Sequence, residues 1–235
     1  MVPPGYPFFL AAIYSLVGHS QFPGKLPNVA LGVGITLSTM LLARSFIGPL
    51  EALISGLLVA LWPNLIFHSN ILSSDLLATF GFAATLWLAT RNPNSVPGRA
   101  LNLVTLGVLV AWMTLVRPIS LILVPAVGLY WWLSSRSLLR AITQLAPCVA
   151  LVALTIAVWS MRNYVTFGEA IPIATNGGYN FWQTNHRYAH GNDTFWDHVP
   201  MHEAEYQTMR YADEFTRNRE GYRYGSAYLQ AHPAY

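Results

Sequence analysis

Six apolar stretches of 16 to 21 residues limit what this chain can fold into, and Asp75 is the only charged residue within them. They cover residues 26–43, 52–67, 71–90, 100–116, 119–134 and 141–161. Crossing the hydrocarbon core of a bilayer takes about 17–25 residues of helix. No stretch alternates polar and apolar residues as a barrel strand does, and a helix satisfies its own backbone hydrogen bonds in lipid. The sequence therefore predicts an all-α, polytopic membrane protein with about six transmembrane helices.

The distribution of charge divides the chain into two parts. Residues 1–161 contain seven basic and two acidic residues, whereas the shorter segment 162–235 contains six basic and eight acidic residues. Soluble domains carry about 25% charged residues, against 10% here, which argues against one soluble globular domain. We predict a transmembrane region over 1–161 and a polar extramembrane segment over 162–235.

The loop arginines predict how the helices are oriented, because basic residues favour cytoplasmic loops. If the helices alternate in direction, five basic residues fall on one side and two on the other. The larger set is Arg44, Arg91, Arg99, Arg136 and Arg140, and the smaller set is Lys25 and Arg117. The larger set marks the cytoplasmic face, so that segment 162–235 faces outward. Residues 7–18 are apolar but too short to span, and we predict a helix lying on the outer surface.

Three polar residues near the predicted outer ends of helices are candidates for a functional site. Asp75 is either a functional acid near membrane depth or an exposed acid at a helix start. Arg117 suits a phosphate or carboxylate, or it reaches the lipid headgroups as an ordinary interfacial arginine. Arg162 either binds a lipid phosphate or ends its helix.

Histidines in the C-terminal segment resemble a metal site by residue type but not by arrangement. His186 and His190 are four positions apart, as are His198 and His202, which suits a metal only on a helix. Glycine and asparagine between the pairs favour a turn and solvated histidines instead. The one cysteine, Cys148, excludes an internal disulfide or a cysteine-based zinc site.

Five short segments, in order along the chain, resemble the polyprenyl-phosphate-sugar glycosyltransferases of the GT-C fold, which include protein O-mannosyltransferases and aminoarabinose transferases. Residues 3–11 read PPGYPFFLA and residues 71–80 read ILSSDLLATF. Residues 114–118 read TLVRP, residues 159–168 read WSMRNYVTFG, and residues 174–182 read ATNGGYNFW. The order of the five segments makes the resemblance specific to the family but not to a substrate.

This resemblance implies a bacterial inner-membrane enzyme that moves a hexose or pentose from a polyprenyl-phosphate carrier to a lipid, glycan or protein acceptor at the outer face. It implies Asp75 as a catalytic residue. It also implies eight substrate-binding residues, which are Tyr6, Arg117, Arg162, Asn163, Tyr164, Asn176, Tyr179 and Asn180. It indicates no cofactor with certainty but leaves room for a divalent metal ion, and it does not involve nucleic acid.

In the family, an acidic residue in an outer loop before the proline-rich segment is thought to activate the acceptor. No such acid precedes residue 3 here. We therefore expect this chain to be a fragment that is inactive alone. Two other classes stay open, which are a small-molecule transporter and a non-catalytic membrane scaffold of the same fold. A transporter should carry charge near mid-membrane, whereas the charges here lie at helix ends.

Overall fold

The computed structural model describes residues 1–18, 20–91, 95–189 and 200–233, and every regular element in these ranges is a helix. The all-α prediction is therefore confirmed for the described chain. The chain forms two compact units, one of residues 3–173 and one of residues 1–2 with 174–235. The larger unit contains α1 (Gly5–Val17), α2 (Gln21–Arg44), α3 (Pro49–Ala60), α4 (Pro63–Ser69), α5 (Asp75–Thr90), α6 (Val96–Val116), a 3₁₀ helix (Pro118–Ile122), α7 (Leu123–Ser135) and α8 (Leu138–Phe167). The smaller unit contains α9 (Gly177–Thr184), α10 (Ala204–Tyr211) and α11 (Glu214–Ala231).

Four helical segments among the described residues are long and apolar enough to cross a membrane. They are the apolar part of α2, helix α6, the 3₁₀ helix with α7, and α8. Helices α3 and α4 form a fifth candidate span that bends by 52° at the break before Pro63, which has no backbone N–H to continue the helix. The chain is thus a multi-pass membrane protein. The sixth predicted crossing coincides with α5, whose 16 residues extend about 24 Å, and a count of six stays a prediction.

Helices α5 and α6 lie at the centre of the larger unit. The buried residues of one cluster, Leu106, Val110, Val127 and Trp131 among them, join α5 and α6 to α7 and α8. A second cluster, which includes Ile35, Leu76, Met113 and Val116, joins the same two helices to α2. On the outer helices, large apolar side chains such as Leu57, Leu133 and Leu154 are exposed. Exposed apolar faces of this extent suit contact with lipid.

Local sequence fixes several helix ends in the larger unit. The Ser95 hydroxyl accepts a hydrogen bond from the Gly98 N–H at 3.2 Å and caps the start of α6. Ser137 caps α8 in the same way, through the Arg140 N–H at 3.4 Å. Helix α8 ends at Gly168, which adopts a φ of 73° that glycine tolerates best. The boundary that the charge distribution predicts, after residue 161, falls within α8, and the compact units divide after residue 173.

In the smaller unit, α9 crosses α11 at two glycines. A Cβ atom on Gly178 would lie 1.8 Å from the Asn218 carbonyl oxygen, and one on Gly221 would lie 2.3 Å from the Gly178 carbonyl oxygen. The backbones can approach this closely only because both positions lack a side chain. Trp182 and Met209 are fully buried beside this crossing and form the core of the unit.

Candidate active site

Helix α6 ends at Val116, and Arg117 lies between this end and Pro118. The side chain of Arg117 reaches the start of α5. The residue before a proline favours extended backbone, and Arg117 has φ −146° and ψ 117°. Its guanidinium then crosses to α5, where Nη2 donates to Asp75 Oδ1 at 2.6 Å and Nε donates to Ser74 Oγ at 3.1 Å. A short, charge-assisted pair of this kind joins the end of α6 to the beginning of α5.

Ser74 bonds to Arg117 and does not cap the start of α5. Ser74 is the N-cap residue of α5, yet its side chain caps no helix N–H. Its hydroxyl accepts from Arg117 instead. The other Asp75 oxygen, Oδ2, lies 3.8 Å from His68 Nδ1, which is an ion-pair distance but too long for a hydrogen bond. The Asp75 and Arg117 side chains are 35% and 42% exposed, so this cluster of three charged or titratable groups is accessible at the surface of the larger unit.

Neighbouring helices hold the cluster in place. Asn28 of α2 is buried, and its Nδ2 donates to the carbonyl oxygens of Ser69 at 3.2 Å and Ile71 at 3.0 Å. These bonds fix the turn between α4, which carries His68, and α5, which begins at Asp75. On the other side, Gly5 lets α1 lie directly against the end of α6, since a Cβ there would be 2.6 Å from the Val116 nitrogen.

Tyr6 lies one residue further along α1 and has a hydroxyl with no partner. The oxygen is buried, and no hydrogen bond reaches it from the described part of the chain. Burial, with smaller contributions from Tyr14 and the Asp75 carboxylate, raises the pKa of Tyr6 to about 12. The hydroxyl therefore keeps its proton near neutral pH and can donate a hydrogen bond. Tyr6 also packs against the buried cluster that contains Leu76 and Val116, the chain neighbours of Asp75 and Arg117.

The predicted residues at the end of α8 differ in how accessible their side chains are to a ligand. Arg162 lies over the ring of Trp159 at 5.0 Å and over Phe167 at 5.3 Å, while its Nη1 donates to Asn163 Oδ1 at 3.2 Å. Asn163 is fully buried, and its Nδ2 donates to the Ile171 carbonyl oxygen at 2.9 Å. Tyr164 is exposed. This segment therefore offers one arginine and one tyrosine to a ligand, and Asn163 holds the following loop.

The third group of predicted residues belongs to α9 in the smaller unit. Asn176 precedes this helix, and its carbonyl oxygen accepts from the Asn180 N–H at 3.0 Å. Tyr179 packs against the buried Trp182, and Asn180 is exposed. The glycines that separate Asn176 from Tyr179 are needed for the close crossing with α11. Part of this motif thus has a packing role that the sequence does not reveal.

The histidine pairs fall partly outside the described residues, which exclude 190–199. His186 is buried and stacks on Trp182, with ring centroids 4.9 Å apart. In the described ranges, no group of three or more histidine, cysteine, aspartate or glutamate side chains is arranged to hold a metal ion. His68 and Asp75 provide two such groups near one another.

Comparison with known protein families decides the class to which this architecture belongs. A family model described as dolichyl-phosphate-mannose-protein mannosyltransferase matches residues 1–160, which is most of the chain. The chain belongs to this mannosyltransferase family. It is a membrane glycosyltransferase of the GT-C type, as the five segments predicted. Searches against curated proteins and against solved structures gave no match.

The match to the mannosyltransferase family covers only part of the predicted site. Tyr6, Asp75 and Arg117 lie within the matched residues, and so does His68. The segment that begins at Arg162 lies outside them, as does the motif around α9. The residues that the structure gathers at the start of α5 are thus also those that the family model covers.

Sequence reasoning missed His68 and Asn28 as parts of this site in the mannosyltransferase-family chain. His68 is seven positions before Asp75 in the same predicted outer turn, so its proximity could have been proposed from the sequence. Asn28 is a polar residue near the start of an apolar stretch, and such residues in membrane helices usually have a specific partner. Which partner it has depends on the packing of α2 against the turn before α5.

Proposed function

We propose that this chain binds a sugar linked to a polyprenyl phosphate and takes part in its transfer to a lipid, glycan or protein acceptor at the outer membrane face. The observation that carries the proposal is the Arg117–Asp75–Ser74 contact at the meeting point of α5 and α6. The leaving group of such a reaction is a phosphate whose negative charge grows as the glycosidic bond breaks. A guanidinium held in place before the reaction stabilises that charge without reorganising.

In this proposal Arg117 holds the donor phosphate. Two of its three nitrogens are already engaged, by Ser74 and Asp75, and these bonds orient the guanidinium. The third nitrogen, Nη1, has no hydrogen bond to another described residue, and the side chain is 42% exposed. A phosphate oxygen can therefore approach Arg117 without breaking either bond. The Tyr6 hydroxyl is a second donor for the same phosphate.

Asp75 suits a positioning role better than that of the general base on the acceptor. Its Oδ1 accepts from Arg117, and its Oδ2 faces His68. Because Oδ1 is committed to the Arg117 guanidinium, Asp75 suits the orientation of that group better than proton transfer from an acceptor hydroxyl or amine. We therefore place the acceptor-activating acid outside the residues gathered here, and we expect this chain alone to bind the donor but to show little transfer.

The remaining predicted residues are assigned to the sugar or the acceptor. Arg162 and Tyr164 present exposed groups at the end of α8, and Asn163 orders the loop that follows them. Asn176, Tyr179 and Asn180 of the smaller unit are proposed substrate contacts. A divalent ion near His68 and Asp75 would require further ligands from the substrate. The excess of arginine in the opposite loops supports an orientation with the Asp75 face outward, and we propose the bacterial inner membrane as the location.

The decisive experiment measures donor binding separately from transfer. The chain is reconstituted in lipid nanodiscs and titrated with a polyprenyl phosphate and with polyprenyl-phosphate mannose. We expect saturable binding of both that Arg117→Gln weakens and that Arg136→Gln, an arginine on the opposite face, leaves unchanged. Equal binding by wild type and Arg117→Gln would refute the proposed donor site. Release of polyprenyl phosphate in the presence of acceptors, well above background, would instead show that a base lies within this chain.

A further inference from the structure

A second polar site lies at the other ends of α5 and α6. A cavity of about 490 Å³ opens there between the end of α5, the start of α6, the end of α7 and the start of α8. Helix α6 is about 31 Å long, so this cavity and the Arg117–Asp75 contact lie near opposite membrane faces. It is therefore separate from the proposed donor site.

Three arginines line this cavity without compensating acids. Arg91 follows α5, Arg99 lies in the first turn of α6, and Arg140 lies in the first turn of α8. Arg91 lies over the Trp87 ring at 5.1 Å, and within residues 1–18, 20–91, 95–189 and 200–233 none of the three forms an ion pair. Among the lining residues that the structure describes there is no aspartate or glutamate. Glu51, the acid of the same predicted face, lies at the start of α3 and outside the lining. The cavity thus has an uncompensated charge of +3.

Asn102 is a second, independent feature that points to a ligand. The residue is only 7% exposed, and its Nδ2 donates to the Leu88 carbonyl oxygen at 3.0 Å. Since the amide nitrogen is used in this way, the buried atom that remains is the oxygen. Oδ1 has no hydrogen-bond partner in the described ranges, and the residue lines the cavity. A buried acceptor of this kind costs free energy unless something donates to it.

We propose that this cavity binds the phosphate of an anionic phospholipid whose headgroup also donates a hydrogen bond. Arginine guanidinium groups pair well with phosphate oxygens, and basic pockets between membrane helices bind lipid headgroups. A headgroup hydroxyl would satisfy Asn102 Oδ1. The neighbouring Leu101 and Leu139 are 68% and 73% exposed, and they provide an apolar surface for acyl chains beside the arginines. Phosphatidylglycerol has both required groups and is the simplest probe.

The test compares two double variants that remove the same number of positive charges from the same membrane face. Arg99→Gln with Arg140→Gln removes two cavity arginines, and Arg44→Gln with Arg136→Gln removes two arginines outside the lining. Because both pairs change the orientation signal equally, a difference between them reports the cavity. Lipid binding to the full chain is measured by native mass spectrometry with phosphatidylglycerol, phosphatidylcholine and inorganic phosphate as separate ligands.

We expect wild type to retain phosphatidylglycerol more tightly than phosphatidylcholine. The cavity pair should lose roughly 25-fold in affinity for phosphatidylglycerol, about fivefold per arginine, and the control pair less than twofold. Equal losses in both pairs, or equal affinity for the two lipids, would overturn the site. Displacement of the lipid by millimolar inorganic phosphate would overturn the lipid assignment in favour of a soluble anion.

Single variants keep the test decisive if the cavity pair does not fold, as judged by thermal melting. Arg140→Gln should then lower phosphatidylglycerol affinity about fivefold, while Arg136→Gln should not. If the two single variants bind equally, the proposal is wrong. Arg117→Gln provides the cross-check, because it should leave phosphatidylglycerol binding unchanged even where polyprenyl phosphate binding is lost.

Discussion

The two ends of the α5–α6 pair carry arginines in contrasting surroundings. At one end, Arg117 is paired with Asp75 at 2.6 Å and oriented by Ser74. Helices α1, α2 and α4 pack around this contact. At the other end, Arg91, Arg99 and Arg140 surround an open cavity whose described lining residues include no carboxylate. An arginine fixed by protein partners can stabilise charge that develops during a reaction, whereas a group of uncompensated arginines favours an anion that is already charged.

If the two ends of the α5–α6 pair have these different roles, they face opposite compartments. Reporter fusions test this as an all-or-none result. A reporter that is active only outside the cytoplasm is fused after Ser95, after Arg136 and after Gly168. We expect no activity at Ser95 and Arg136 and full activity at Gly168, because the arginine-rich loops should be cytoplasmic. Activity at both Ser95 and Gly168 would show that the two ends are not separated as we describe.

The largest graded effect on the rate is expected for Arg117→Gln, measured in a preparation that catalyses sugar transfer. Losing a charged contact to the departing phosphate should raise the barrier by about 2–4 kcal/mol, which slows transfer roughly 30- to 1,000-fold. Arg136→Gln, on the opposite face, is the control and should retain the wild-type rate. Both variants are first checked for membrane insertion. Near-normal transfer by Arg117→Gln would show that Arg117 only contacts lipid headgroups at the membrane interface.

Asp75→Asn should have a smaller effect, because we assign it to orienting Arg117. The amide still accepts a hydrogen bond but carries no charge, and we expect a loss of about tenfold, or ~1.4 kcal/mol. Glu51→Gln, which changes another acid in the first turn of a helix, should have no effect.

A double-mutant cycle separates this role from direct catalysis. If Asp75 acts through Arg117, then Asp75→Asn should slow the Arg117→Gln variant little further. A full additional loss in that background would show that Asp75 contacts the reacting groups itself, as the sequence resemblance implies.

The smallest effect is expected for Tyr6→Phe, which removes a hydroxyl that lacks a protein partner. Stability should be unchanged or slightly higher, because an unsatisfied buried hydroxyl is lost. If the hydroxyl donates to the donor phosphate, affinity for polyprenyl phosphate should fall about fivefold. Since the pKa of Tyr6 is raised to about 12, this donor should act equally well from pH 6 to 9. Unchanged affinity would remove Tyr6 from the proposed site.

Much of the helical architecture follows from the sequence alone. Long apolar stretches predict helices wherever they occur, and α2, α5, α6, α7 and α8 each overlap one of the predicted stretches. The five family segments also predicted the family that the profile match shows. These features depend only on residues that are close along the chain, so they can be recognised from the sequence.

Which helices touch was decided only by the tertiary structure. Asp75 and Arg117 are 42 positions apart, and their contact requires α5 and α6 to pack side by side with these ends aligned. In membrane helices the outward face is as apolar as the packed face, so hydrophobic pattern does not specify neighbours. For the same reason the sequence could not show that Asn163 is buried or that the arginines of three different helix ends surround one cavity. Pairings of this kind depend on side-chain fit between distant segments, which no local pattern encodes.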